Sequence, residues 1–271
     1  MRFVITGGHT GIGKLLTRRL AEGGHEIALI LRHEARRAEL DDVPGADRFH
    51  YFYADLSDPE AVGRVATEIR QTFDKIDVLV NNAGILLDHP ARTERGLELH
   101  FAVNTLAPYL LLQTLRPLLR QSERATVINT SSGAAKAVPD FTETDLREGG
   151  TFSKWRGPYA RSKLALSYWT HLMAPELAAN GISVYSVDPG GNDTKMTRGA
   201  GTPWLLRVLL RPLIFKSPER GANLLYDAVF TPPTDAEPGA FLVGNRPEPL
   251  PIFGSSPARA ERLLSLLNTF E

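Results

Sequence analysis

Hydrophobic positions along this chain follow two alternating periods. Short runs of consecutive apolar residues predict buried strands at Phe3–Thr6, Glu26–Leu31, Phe49–Tyr53, Val78–Asn81, Thr126–Asn129, Ile182–Val187 and Ala240–Val243. Between them, apolar residues recur at helical spacing over Ile12–Glu22, Ala35–Leu40, Pro59–Phe73, Gly96–Gln121, Tyr159–Asn180 and Pro218–Phe230. Asp58-Pro59 marks one helix start physically, with a carboxylate to cap and a proline in the first turn. Strands alternating with helices at this spacing imply right-handed crossovers, and so an α/β fold with a parallel sheet and helices on both faces. No repeat, low-complexity tract or Gly/Ser linker interrupts the pattern. The Pro/Gly-rich patches Thr231–Gly239 and Arg246–Pro257 read as late loops, so residues 1–271 are expected to form a single domain with a C-terminal tail over 245–271.

Composition removes several classes of function. The 31 Lys and Arg balance 31 Asp and Glu, which lacks the basic footprint of a nucleic-acid binder or a polybasic membrane anchor. No cysteine is present, which excludes disulfides, thiolate metal sites and cysteine nucleophiles. His9, His89 and His100 have no metal-ligand spacing and read as ordinary polar residues, so no metal is expected. The chain opens directly into the first apolar run without a signal-like segment, and no apolar stretch reaches the ~20 residues that span a bilayer. These features lead to the expectation of a cytoplasmic protein with no integral membrane segment and no nucleic-acid partner.

After the first strand, Thr6-Gly7-Gly8-His9-Thr10-Gly11-Ile12-Gly13 runs into a helix. Glycines there permit a tight turn and let backbone N–H groups at a helix N-terminus approach a pyrophosphate. Any strand-to-helix turn can use glycine, but the first such turn is where a dinucleotide site requires it. The end of the second strand reads Leu31-Arg32-His33-Glu34, with Arg36 and Arg37 following. An acidic residue at that place binds ribose hydroxyls, whereas an arginine suits a 2′-phosphate. Arg32 therefore favours NADP(H), with NAD(H) also accommodated if a register shift gives Glu34 to the ribose. The alternative for the arginines is a solvated charge cluster.

Four further strings follow in order: Ala54-Asp55-Leu56, Asn81-Asn82-Ala83-Gly84, Ser131-Ser132 after the fifth strand, and Tyr159-Ala160-Arg161-Ser162-Lys163. With the glycine turn, this ordered set resembles the short-chain dehydrogenase/reductase family from Phe3 to about Phe230. Glu98–Asn104 and Lys216–Ala222 resemble its retinol-dehydrogenase-type branch. The resemblance implies a Rossmann-type doubly wound fold with a seven-stranded parallel sheet. It also implies Tyr159 as general acid/base, Lys163 as ribose binder and modulator of the tyrosine, Ser132 as donor to the substrate oxygen, and Asn104 as anchor of a proton-relay water. The implied cofactor contacts are Gly7, Thr10, Gly11, Ile12, Gly13, Asp55, Leu56, Asn82, Ala83, Gly84, Tyr159, Lys163, Pro189, Gly190 and Thr194, beside Arg32. Asp55 corresponds to an adenine-binding residue, and its plainer reading is a loop cap.

Physical chemistry stands beside these assignments. Tyr159 and Lys163 are four apart and share a helix face, where an ammonium favours phenolate and lowers the tyrosine pKa. Ser131 and Ser132 point opposite ways if extended, so one of them faces the site; the family pattern selects Ser132 and leaves Ser131 a backbone-bonding role. Gly133 to Pro158 is an extension typical of the retinol-dehydrogenase type. It is expected to form one wall of a substrate cleft, with residues 195–217 as the other; its plainer reading is a surface loop unrelated to binding. Trp204, Leu205, Leu209, Leu210 and Phe215 would make that second wall an apolar ceiling, although packing, a dimer contact or membrane association would use the same stripe.

The expected function is an NADP(H)-dependent ketone or aldehyde reductase, or alcohol dehydrogenase, acting on an apolar small molecule. A non-redox epimerase or dehydratase and a catalytically silent NADP(H)-sensing protein are the alternatives. Homodimers and homotetramers are common in the family, and no residue selects between them.

Overall fold

All seven apolar runs are parallel strands of one sheet in the computed structural model, which describes residues 1–191, 217–254 and 256–271. They are β1 (Arg2–Thr6), β2 (Glu26–Leu31), β3 (Phe49–Tyr53), β4 (Val78–Asn81), β5 (Ala125–Thr130), β6 (Ile182–Asp188) and β7 (Phe241–Val243). The expected seven strands are joined by an eighth, β8 (Arg246–Glu248), which pairs antiparallel with β7. Its three residues lie in the stretch that reads as loop. Pro247 has no N–H to give a ladder, a deficit that an edge strand tolerates.

The strand order is β3-β2-β1-β4-β5-β6-β7-β8. The chain winds outward from β1 in one direction, then returns to β4 on the other side of β1. This reversal opens a crevice beyond the C-terminal ends of β1 and β4, the place where doubly wound folds bind ligands. The glycine turn leaves β1, and Asn82-Ala83-Gly84 leaves β4, so both border that crevice.

The core explains the continuous apolar runs. Val4, Ala28, Leu79 and Val127 face one layer, whereas Phe3, Ile5, Ile27, Leu29, Val78, Val80 and Ile128 face the other. Alternate residues bury on opposite faces, so both parities must be apolar. One layer contains α2 (Pro59–Thr72), α4 (Ala107–Leu119) and α6 (Pro158–Ala178); the other contains α1 (Gly11–Glu22) and α7 (Pro218–Phe230). At the start of α2, the Asp58 side chain accepts from Glu60 N at 3.1 Å, as its sequence suggests.

Three helical regions differ from their sequence pattern. Glu34–Leu40 is a 3₁₀ segment. The helix expected from Gly96 begins with a single turn, α3 (Leu99–Phe101), widens into a π-turn over Ala102–Leu106, and continues as α4. The tail contains α8 (Pro257–Asn268), which buries Leu263, Leu266 and Leu267. Within the extension, α5 (Glu143–Glu148) carries a capping box between Thr142 and Asp145. Thr194 and residues 195–216 of the second expected wall, including its apolar ceiling, lie outside the described residues. No helix among the described residues is long and apolar enough to cross a membrane.

Candidate active site

A cavity of about 1480 Å³ occupies the crevice and joins the glycine turn at one end to the Ser132–Tyr159–Lys163 group at the other. The turn that borders it is tightly braced. Asn82 Nδ2 donates to the carbonyls of Thr6 and Gly7 at 3.2 and 3.1 Å, and Ala83 N donates to Thr6 Oγ1 at 3.0 Å. Gly7 has φ +66°, and a Cβ on Gly13 would stand 2.2 Å from Gly7 O. The helix N-terminus can sit this close to the turn only because both positions lack side chains. Thr10 makes no side-chain cap, and the first turn of α1 has no acidic residue. The cradle therefore fits the pyrophosphate of a dinucleotide, presenting backbone donors and the positive end of a helix.

Farther along this end are exposed charges that pair with one another. Arg32 Nε donates to Asp55 Oδ2 at 2.8 Å, while Asp55 Oδ1 accepts from Ser57 N and Oγ. Burial alone would raise the Asp55 carboxyl, but the hydrogen bonds from Ser57 and Arg32 outweigh it and hold the group below its usual range. Arg36 lines the cavity and bonds Glu39 at 2.6 Å. Arg37 turns away, pairing with Glu34 at 3.7 Å and covering the Tyr51 ring. Glu34 is thus engaged outside the cavity, and of the three arginines after the second strand Arg32 and Arg36 border it.

The other end is buried. Ser132 lines the cavity, accepts from Ala134 N at 3.2 Å, and hydrogen-bonds Tyr159. Ser131 is turned the other way, with Oγ 2.8 Å from Ser167 Oγ on α6. Tyr159 and Lys163 occupy successive turns of α6, and Lys163 Nζ donates to Thr130 O at 2.7 Å. Burial lowers Lys163 to about 8, opposed by the charge of Asp188. Burial also raises Tyr159; the Ser132 hydrogen bond opposes this, and Asp188 adds to it. The expected lowering of Tyr159 by Lys163 is thus not the balance found here. Lys163 uses one of its three N–H groups on Thr130 O, and desolvation of the phenol is the largest influence on Tyr159.

Asn104 sits in the π-turn. Its Oδ1 accepts from Ile85 N at 2.9 Å, and its Nδ2 donates to Ile85 O and Ser162 Oγ, both at 3.1 Å. Gly84 permits this approach, since a Cβ there would lie 3.2 Å from Asn104 Oδ1 and 3.4 Å from Lys163 Nζ.

The cavity also takes in residues that motif reading does not assign: His9, Ile85, Leu86, Val103, Arg156 and Asp188. Asp188 precedes the Pro189-Gly190 turn, and its carboxylate accepts from Gly190 N at 2.9 Å. Trp155, in the extension, lines the cavity although it is 46% exposed, and its ring meets Tyr159 edge-on at 6.2 Å. The extension thus supplies a cavity wall. Pro189 and Gly190 border the same space.

Comparison with known proteins identifies the family. The short chain dehydrogenase family model matches residues 2–143 and 147–203, and the chain belongs to that family. It is 35% identical over 255 residues to polyprenol dehydrogenase of Mus musculus, covering 88% of this chain and 74% of that one. Retinol dehydrogenase 12 of Mus musculus is 32% identical, with 81% and 70% covered. Among solved structures, a Pseudomonas aeruginosa RhlG/NADP active-site complex superposes with a TM-score of 0.71 at 26% identity, covering 89% of this chain and 93% of that one. The protein is accordingly an oxidoreductase of the dehydrogenase/reductase type, acting on alcohol or carbonyl groups.

Proposed function

We propose that this protein is an NADP(H)-dependent oxidoreductase interconverting a carbonyl and an alcohol on an apolar small molecule. The observation that carries the reading is the continuity of the cavity, from the arginine-bordered glycine cradle to Ser132, Tyr159 and Lys163. Gly7, Thr10, Gly11, Ile12, Gly13 and the Asn82–Gly84 segment would hold the pyrophosphate and adjoining ribose, Asp55 and Leu56 the adenine, and Arg32 the 2′-phosphate. A bound nicotinamide dinucleotide supplies hydride for carbonyl reduction and accepts it in alcohol oxidation.

The chain's own groups manage the proton. Ser132 Oγ accepts from Ala134 N, so its single O–H remains to donate to one acceptor at a time, the phenol oxygen or the substrate oxygen. Tyr159 gives its proton to the carbonyl oxygen in reduction and takes the hydroxyl proton in oxidation. Lys163, one helical turn from Tyr159, would hold the ribose and supply positive charge to the phenol. Asn104 fixes the Ile85 peptide beside them and anchors the relay water. An apolar substrate is supported by Trp155, Ile85, Leu86 and Val103 on the walls, and by relatives named for polyprenol and retinol.

The test is an NADPH-oxidation screen over ketones and aldehydes, including isoprenoid and retinoid-like ones. Turnover with an apolar carbonyl is expected. NADPH binding without net oxidation of any substrate would contradict the reading and favour internal cofactor recycling or a sensing role.

A further inference from the structure

The buried pair Glu98 and His100 lies against the active site with its side chains 6% and 1% exposed. Glu98 caps α3: Oε2 accepts from Phe101 N at 2.7 Å, and Oε1 lies 2.7 Å from His100 Nδ1. On its other edge, His100 Nε2 accepts from Leu87 N at 3.1 Å. A backbone amide can only donate, so Nε2 carries the lone pair and Nδ1 the proton, which goes to Glu98. The His100 ring also meets Tyr159 edge-on, with centroids 6.0 Å apart. One helical turn later, Asn104 binds both backbone groups of Ile85. His100 and Asn104 thus fasten Leu87 and Ile85, and between them lies Leu86, which with Ile85 lines the cavity.

We propose that His100, oriented by Glu98, is a positioning residue that fixes the Ile85–Leu87 segment as a substrate-facing wall beside Tyr159. This rests on the reading of Tyr159 as the proton-transfer group, but the clamp itself can be measured independently. Both carboxylate oxygens of Glu98 are used, so a glutamine there serves only one donor as acceptor. The pair therefore acts through its hydrogen-bond directions as well as its packing.

The experiment compares wild type, the double variant Glu98→Gln/His100→Phe and the single variant His100→Gln. Phenylalanine keeps a ring against Tyr159 but cannot accept from Leu87, and glutamine at 98 avoids leaving a lone buried carboxylate. In the double variant the Leu87 amide should exchange at least about tenfold faster. Carbonyl KM should rise about tenfold while kcat and NADPH affinity stay within about threefold, the pattern of lost uniform binding. Glutamine at 100 can donate to Glu98 and accept from Leu87, and should restore both readouts. A folded double variant with wild-type exchange and KM would overturn the proposal, as would a lower melting temperature with neither local change. If the double variant does not fold, ¹⁵N NMR of wild-type His100 decides: protonated Nδ1 supports the clamp, and protonated Nε2 overturns it. A wild type that reduces no carbonyl, yet protects the Leu87 amide through His100, would place the failure in the functional reading instead.

Discussion

The two ends of the cavity are built on different physical terms. At the catalytic end, polar groups are buried and fixed: Lys163 on Thr130 O, Ser131 on Ser167, Asn104 on Ile85, and His100 between Glu98 and Leu87. At the glycine-turn end, the charges stand in solvent and satisfy one another, as in Arg32–Asp55 and Arg36–Glu39. Exposed pairs of this kind contribute roughly 0–1 kcal/mol, so they can re-pair with a ligand at little cost. A buried group deprived of its partner costs about 1–3 kcal/mol, so the catalytic end resists rearrangement. On the proposed function, reaction geometry would be set by the fold, and cofactor choice by side chains that can be exchanged without disturbing it.

Three perturbations break or sharpen this contrast. The largest effect is expected from Ser132→Ala, which removes the donor beside Tyr159. Turnover should fall by about 10²–10³ while NADPH affinity in a fluorescence titration changes little. A matching loss of NADPH affinity would mean that the two ends are not separable.

Arg32→Ala acts at the other end. Loss of a charge-assisted contact of about 1.5–3 kcal/mol should weaken NADPH about 10- to 100-fold and leave NADH within a few-fold. Equal weakening of both cofactors would assign Arg32 to holding Asp55 rather than to recognising phosphate.

The smallest effect concerns stability. Lys163 binds its proton less tightly in the folded chain, at about 8, than at its ordinary value of 10.5. Between these values the unfolded chain binds more protons, so the lysine's contribution to stability rises with pH. Below about 8, the cost of burying the charge is fully present. Lys163→Met lacks this term, so wild type should gain on it by about 2 kcal/mol between pH 8 and roughly pH 10 in denaturant titrations. A pH-independent difference would mean that Lys163 is not shifted.

What the sequence made legible follows the same division. All seven parallel strands were readable because strands buried on both faces are apolar at successive positions. Strand β8 was not, being short, proline-containing and at an edge. Helix α8 lies just beyond a Pro/Gly-rich stretch, which obscured the spacing of Leu263, Leu266 and Leu267. Tyr159 and Lys163 could be paired because residues four apart share a helix face. Glu98 and His100 could not, since residues two apart do not face each other within a helix. They meet because Glu98 is the extended cap before α3, with φ −60° and ψ 130°, and the apolar pattern placed the helix start at Gly96. The direction of the Tyr159 shift was illegible for another reason. It depends on how deeply the phenol is buried, which spacing along one helix does not reveal.

On the proposed function, one cavity binds NADPH at its exposed end and transfers the proton from Tyr159 at its buried end. The most direct measurement pairs NADPH affinity with carbonyl turnover in Tyr159→Phe. Affinity should stay within about threefold of wild type and turnover should fall by at least about 10³, since the variant keeps the ring and removes only the proton donor. Near-wild-type turnover in a variant that still binds NADPH would contradict it.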